Sequence, residues 1–554
     1  MLKFDRENYT LETYTYKGQE IVYRFYQDIL YCEKPVDPKY QTLNIKEPVS
    51  IGGKTVDASQ APIFFGIGCA GFLSSTAASG GSFGMPGGGP EGPGGPGGPM
   101  GGPGGPMGGP GGPGGPMGGP VGGPGAPGGP VGGPPAMGAP KSAAQITSSE
   151  EWEAMAGGEG HAGGGIMGIE TLGSYRQQGM PGPGPGGEPG EAAPPDGSRW
   201  GKLALGYVIV EVGCRGRENQ WPDGTYYGKA PAAIVDLKAA VRYLRSNAGL
   251  IPGDPEKIIS TGGSGGGWQS TLLGASGNSA WFEPWLKEIG AADARDDIFA
   301  SYSTSPIISH EIADAVVEWQ GRELITEPEQ RAHSDAIAAQ LADYLQQETF
   351  TGKNGYGRLT ADNLGEYIAK EYLRPDAARY LAKLDDSART AYLADHPWIR
   401  YDGENADFTF AEFGVYAPRD ARVPSFDDLG YEQPGPNLYG DASHAARHFT
   451  DYALQLATGD PGARVPEELK AIVLSQSPVW HILQKNTDAA PYWWIRHGAC
   501  DPCLAVPPAV LLATAAENAG KTVSCRLVWD GGHCEDDDQD EFLKWVGEIT
   551  GYSI

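Results

Sequence analysis

The stretch KIISTGGSGGGWQST, residues 257–271, sets one serine inside a glycine run directly after a short apolar segment. Glycine weakens helix and strand alike, so a packed core gains nothing from such a run. A backbone that must turn sharply, or let another group approach closely, does gain. Gly262-Gly263-Ser264-Gly265-Gly266 fits G-x-S-x-G, the nucleophile elbow, in which a tight strand-to-helix turn exposes a serine Oγ above a sheet. The pattern alone is weak in a chain with 86 glycines. Its surroundings give it weight: EKIIS before it reads as a short buried strand, and WQSTLLGAS after it reads as a helix.

Outward from the elbow the same alternation continues. LALGYVIVEVGCRG (203–216) is an unbroken apolar run, the mark of a strand buried on both faces. APAAIVDLKAAVRYLRSNAG (230–249) follows, with Ile234, Leu237, Val241 and Leu244 on one helical face and Gly249 as a stop. Near the C-terminus YWWIRHG and TVSCRLVWDGGHC read as strands around the helix PPAVLLATAAENAG. EDDDQDEFLKWVGEI reads as a last helix with an acidic first turn. Strands alternating with helices predict a mostly parallel α/β sheet. QEIVYRFYQDILY and APIFFGIG add earlier strands.

Two segments interrupt this core. From Ser79 to about residue 195 the chain is dominated by Gly and Pro, a composition that cannot build a core and reads as a flexible or polyproline-II insertion. Only SAAQITSSEEWEAMAG (142–157) within it looks helical, with Ser148 or Ser149 as the cap. Residues 309–488 are mostly helical in pattern and form a candidate lid. The expected organisation is core at 1–78, 196–308 and 489–554, with the Gly/Pro insertion at 79–195 and the lid at 309–488. A length of 554 residues agrees with more than one folded unit.

A serine alcohol needs a base to be nucleophilic at neutral pH. In this architecture the chain order is serine, acid, histidine. His533 lies after the last strand and Asp501 after the one before it, so Ser264, Asp501 and His533 are the candidate triad. Asp530, three residues from His533, reads as a loop residue, and His497 as one that satisfies backbone groups. The oxyanion would take the N–H of Gly265 at the helix start. A second N–H would come from the loop FFGIGCAGFLSS, at Gly71 or Ala70. With Asp501 and His533 in contact, Cys500 and Cys534 come near bonding distance. A disulfide there would add about 3–4 kcal/mol on the chain-entropy model; two free thiols is the other reading.

The formal charge of −28 argues against nucleic acid and against an acidic membrane surface. No apolar run approaches the ~18 residues of a membrane span. No secretory leader is visible at the N-terminus and cysteines number 7, so the expected location is cytoplasmic. No metal-ligand spacing is found, and no cofactor is expected. Oligomeric state is left open.

The sequence resembles the bacterial tannases of the tannase/feruloyl-esterase-like branch, serine esterases of the α/β-hydrolase fold that cleave galloyl esters. The resemblance runs through YKGQEIVYRFYQDILYCEKPVDPKYQTLNI, GYVIVEVGCRGREN, GGSGGGWQSTLLGASGNSAWFEPWLKEIGAADARDDIFA, WWIRHGACDPCLAVP and GGHCEDDDQDEFLKW. It implies an α/β-hydrolase fold with a large helical lid. It also implies a triad at Ser264, Asp501 and His533. The family carries a second Asp two residues after the triad Asp, where this chain has Cys503, a poor partner for a phenol. Nor does FDDLGYEQPGPNLYGDASHAARHF (426–449) show the family's lid Lys. The implied function is hydrolysis of esters of phenolic acids or related small esters through an acyl-enzyme. An acyltransferase with the same triad and a non-catalytic scaffold acting through the Gly/Pro segment are the alternatives.

Overall fold

The computed structural model describes residues 2–78, 198–307, 309–420 and 422–553. The Gly/Pro insertion and its expected helix therefore lie outside the described residues. A mixed sheet organises the rest: β1 (Thr10–Tyr16), β2 (Gln19–Leu30), β3 (Thr42–Ile51), β4 (Lys54–Thr55), β5 (Pro62–Ile67), β6 (Val208–Val212), β7 (Asp254–Gly263), β8 (Ala300–Thr304), β9 (Tyr492–Gly498) and β10 (Thr522–Val528). Their order is β1-β2-β3-β6-β5-β7-β8-β9-β10, with β4 on β3. The first strands pair antiparallel, and from β6 to β10 every pairing is parallel.

Composition explains the difference. Every residue of β5, β6 and β8 is buried, as parallel strands covered on both faces require. β1 sits at the edge, mostly exposed, in the alternating sequence TLETYTY. On one face lie α2 (Ala232–Ser246), α3 (Gly265–Ala275) and α4 (Pro507–Asn518), whose Leu237, Leu272 and Leu511 join Ile63, Val210 and Ile495 in the larger core. On the other face α1 (Arg199–Ala204) and α5 (Gln539–Thr550) bring Leu203, Phe542 and Val546 against Phe64, Ile209 and Trp494.

Three expectations need correction. The run 203–216 is not one strand. Ser198 caps α1 by accepting from the Gly201 N–H at 3.1 Å, and Gly206 at φ 80° turns the chain into β6. The strand before the elbow extends through Gly263 rather than ending at Ser260. The acidic first turn of α5 is present at Asp540 and Glu541, but Asp536, Asp537 and Asp538 lie before it. Two of these are held by basic side chains on β9 and β10: Asp537 pairs with Arg526 at 2.8 Å, and Asp538 with Arg496 at 2.9 Å and Arg526 at 2.7 Å.

Between β8 and β9 the chain is mainly helical, including Ala313–Gly321, Pro328–Gln347, Asp451–Thr458 and Glu467–Ser475. No helix among the described residues is long and apolar enough to cross a membrane.

Candidate active site

Strand β7 ends at Gly263 and α3 begins at Gly265, leaving Ser264 alone at the turn with φ 53° and ψ −125°. A non-glycine residue in that region is strained, and it persists only where its neighbours fix it. Two backbone bonds do so: Ser264 N–H donates to the Thr304 carbonyl at 2.9 Å, and the Ser264 carbonyl accepts from Trp268 N–H at 2.9 Å. A side chain at Gly265 would collide with the Cys69 carbonyl and the Phe72 nitrogen. Glycine there lets the 69–72 turn come directly against the start of α3. That turn holds Ala70 and Gly71. Ala70 gives its N–H to the Gly68 carbonyl at 3.0 Å, so of the two oxyanion candidates Gly71 is favoured.

The acid and histidine loops meet two strands away. His533 Nδ1 lies 2.9 Å from Asp501 Oδ2 and 3.1 Å from Oδ1. The Asp501 carboxylate is buried and also accepts the N–H groups of Cys503 at 2.8 Å and Leu504 at 3.1 Å. Burial raises its pKa, but His533, His497 and Ser305 outweigh burial and hold it below the ordinary value. For His533 burial acts downward, and the Asp501 hydrogen bond overrides it and holds the imidazole above its usual range. The two loops are joined through main chain: Cys500 N–H donates to the Gly531 carbonyl at 2.9 Å and Ala499 N–H to that of Val528 at 2.8 Å. Gly498 leaves no room for a Cβ against the carbonyls of Gly531 and Gly532.

The structure therefore brings Asp501 and His533 into contact, with Ser264 on the same carboxyl edge of the sheet. Among the described residues no hydrogen bond links Ser264 Oγ to His533. Catalytic hydrogen bonds are often longer before substrate arrives. Asp530, at φ 56°, accepts from the Tyr416 hydroxyl, and His497 Nε2 lies 3.3 Å from the Leu504 carbonyl.

Of the two readings left open for this pair, the structure has the second: Cys500 and Cys534 are both free thiols. Cys500 Sγ turns to Asp530 at 3.9 Å, while Cys534 is tied through its backbone N–H to Ser305 Oγ at 2.9 Å. Cys503 is exposed. Asp501, Cys503 and His533 offer one oxygen, one sulfur and one nitrogen within 4.8 Å of one another, a set able to hold a metal ion.

Sequence reasoning missed Ser305. It follows β8 at φ 43°, is buried, accepts from the Cys534 N–H and helps hold Asp501 below its ordinary pKa. Its place at the carboxyl end of a strand next to the elbow strand is the one clue the sequence held. A cavity of about 430 Å³ lies elsewhere, within the helical segment between Glu311, Gln340, Tyr452 and Lys470.

A parallel sheet covered on both faces, with a strained serine at a strand-to-helix turn, defines the α/β-hydrolase class. Comparison with known proteins narrows the class. The BD-FAE family model matches residues 204–354. A probable carboxylic ester hydrolase, LipM of Mycobacterium tuberculosis, is 34% identical over 92 residues, which is 16% of this chain and 19% of that protein. The chain thus spans about a fifth of the length of that curated relative. Solved structures match far more. The tannin acyl hydrolase of Lactobacillus plantarum aligns with TM-score 0.68 and 26% identity over 99% of this chain and 98% of its own. The Fusobacterium nucleatum tannase aligns with TM-score 0.68 and 26% identity over 99% of each chain. A tannin acyl hydrolase solved in complex with ethyl gallate aligns with TM-score 0.68 at 25% identity, over 99% of this chain and 98% of its own. The chain is a tannase-like protein of the α/β-hydrolase fold.

Proposed function

We propose that the chain is a serine carboxylic-ester hydrolase acting on esters of phenolic acids. The observation that carries this reading is the strained Ser264 turn on the same sheet edge as the Asp501–His533 pair. The full-length tannase alignments support it independently.

In this reading Ser264 Oγ attacks the ester carbonyl carbon and passes its proton to His533 Nε2. Asp501 keeps Nδ1 protonated and stabilises the imidazolium that forms. The backbone N–H groups of Gly265 and Gly71 hold the oxyanion. Collapse of the tetrahedral intermediate breaks the ester C–O bond, and His533 returns the proton to the leaving alcohol. Water, deprotonated by the same histidine, then hydrolyses the acyl-enzyme. No cofactor enters this cycle. Residues 309–488 act as the lid. Cys503, where the family it resembles places an Asp, removes one hydroxyl-reading carboxylate, and a site lacking such a partner discriminates less between phenols. Seven free thiols support a reducing, cytoplasmic setting.

The test is product release from methyl gallate, methyl ferulate and short-chain p-nitrophenyl esters by the wild type and Ser264→Ala. Cleavage by the wild type and a loss of at least about 10³-fold in the variant is the expected result. Equal rates from the two proteins would reject the mechanism.

A further inference from the structure

The loop after β6 is braided into the oxyanion loop. Arg217 N–H donates to the Phe72 carbonyl at 2.9 Å, and its side-chain Nε donates to the Gly71 carbonyl at 2.8 Å. A side chain at Gly216 would collide with the backbone of Leu73 and Ser74, so the two loops lie in direct contact. The Arg217 guanidinium is consequently fixed on the peptide that follows Gly71, one peptide on from the N–H proposed to bind the oxyanion. Its two terminal nitrogens make no hydrogen bond and no ion pair among the described residues. The neighbouring Glu218 accepts from Ser74 N–H at 2.9 Å and favours the charged Arg217 only through space. A half-buried arginine with no carboxylate hydrogen-bonded to it is out of place in a chain of formal charge −28, where acidic partners are plentiful.

A second cation stands beside it. Lys229 is buried and spends its ammonium on two carbonyls, Asn437 and Ala445, each at 2.8 Å, and on the face of Tyr226, with no carboxylate hydrogen-bonded to it. Burial first, then the charge of Arg217, brings Lys229 down to about 8. Burial likewise lowers Arg217. The nearby Asp441 is already committed to Arg447 at 3.1 Å and His444 at 2.9 Å. Two desolvated positive charges thus stand beside the oxyanion loop with no carboxylate hydrogen-bonded to either, Glu218 acting on both only through space. A guanidinium presents parallel N–H donors that match a carboxylate.

We infer that Arg217, backed by Lys229, is an anion-reading element at the rim of the site, and that the preferred substrates are esters bearing a free carboxylate. The inference rests on the hydrolase reading for its turnover assay only. The full chain is assayed as wild type, Arg217→Gln and Arg217→Lys on two matched pairs of esters. In one pair the alcohol part carries a carboxylate or its methyl ester. In the other the acid part carries a ring carboxylate or its methyl ester. The wild type should favour the anionic member of at least one pair by about tenfold in kcat/KM. Arg217→Gln should abolish that ratio and Arg217→Lys retain most of it. Added salt should shrink it. A residue that merely props the Gly71 loop would lower both members together and leave the ratio intact, which would overturn the proposal. So would a wild-type ratio near one in both pairs. If no ester is cleaved, calorimetry with free gallate on Ser264→Ala decides separately. Binding that Arg217→Gln abolishes supports the anion site, and absence of binding refutes it.

Discussion

Ser264, Asp501 and His533 are small in number, and each depends on a backbone arrangement more than on side-chain neighbours. Replacing the acid by an amide isolates one function. Asp501→Asn keeps the size but removes the charge that holds His533 above its ordinary range. We expect a fall in kcat of about 10³–10⁴-fold, with the acidic limb of the pH–rate profile moving to lower pH as the imidazole loses its counter-charge. A profile that keeps its position would remove Asp501 from the role. The placement of these three residues on one edge of the sheet was legible in sequence because glycines, turn residues and chain order carry the pattern. Ser305 was not, because a serine after ASYST has no distinguishing neighbours. The state of Cys500 and Cys534 stayed open in sequence for a related reason: adjacency of two loops says nothing about which way each thiol turns.

At the level of elements, apolar periodicity located the central strands and the helices that cover them. It failed where charge decided the boundary. EDDDQDE does supply an acidic helix start at Asp540 and Glu541, but its earlier part pairs elsewhere: Asp538 lies against Arg496 with both side chains 1% exposed, and Arg526 joins them. Those arginines sit on β9 and β10, so the acidic run ties two strands to the start of α5. Asp538→Ala leaves Arg496 buried without its carboxylate, with the Ile495 and Ser524 carbonyls and the Ser524 hydroxyl left to hydrogen-bond it. We expect a loss of about 3–5 kcal/mol in chemical denaturation. A change below about 1 kcal/mol would mean that Asp537 or solvent takes over the pairing. The α1 helix was read as strand because Leu203 and Ala204 are as apolar as the β6 residues that follow. Only the Ser198 cap and the Gly206 turn separate them, and both are single-residue features.

For the molecule as a whole, buried carboxyls set the response to pH. Asp314 is buried against the N–H groups of Phe426 and Asp427 at 2.6 and 3.0 Å, and burial pushes its pKa up to about 7. Its unfolded value is ~3.9. Between these limits the folded chain holds a proton the unfolded chain has released, so stability falls as pH rises from about 4 to 7. Asp296 acts in the opposite sense. Burial raises it, but Lys238 and Arg242 more than offset this and lower it. Its contribution is present above ~3.9 and is lost as pH falls further. We expect a thermal midpoint higher near pH 5 than near pH 8, with Asp314→Asn flattening that slope. An unchanged slope in the variant would assign the pH response to other groups.

The Gly498 crossing, where the acid loop rests on the carbonyls of Gly531 and Gly532, has a consequence for how such a protein can change over generations. Because main chain joins the two loops, the side chain at 503 is left exposed on a fixed frame, contributing its N–H to Asp501 whatever residue stands there. On the proposed hydrolase reading, selection can exchange that side chain, and with it the preferred acid, while the geometry of bond cleavage is inherited intact. Chemistry and taste are separately heritable in this scaffold, and position 503 is where a laboratory lineage would begin to drift.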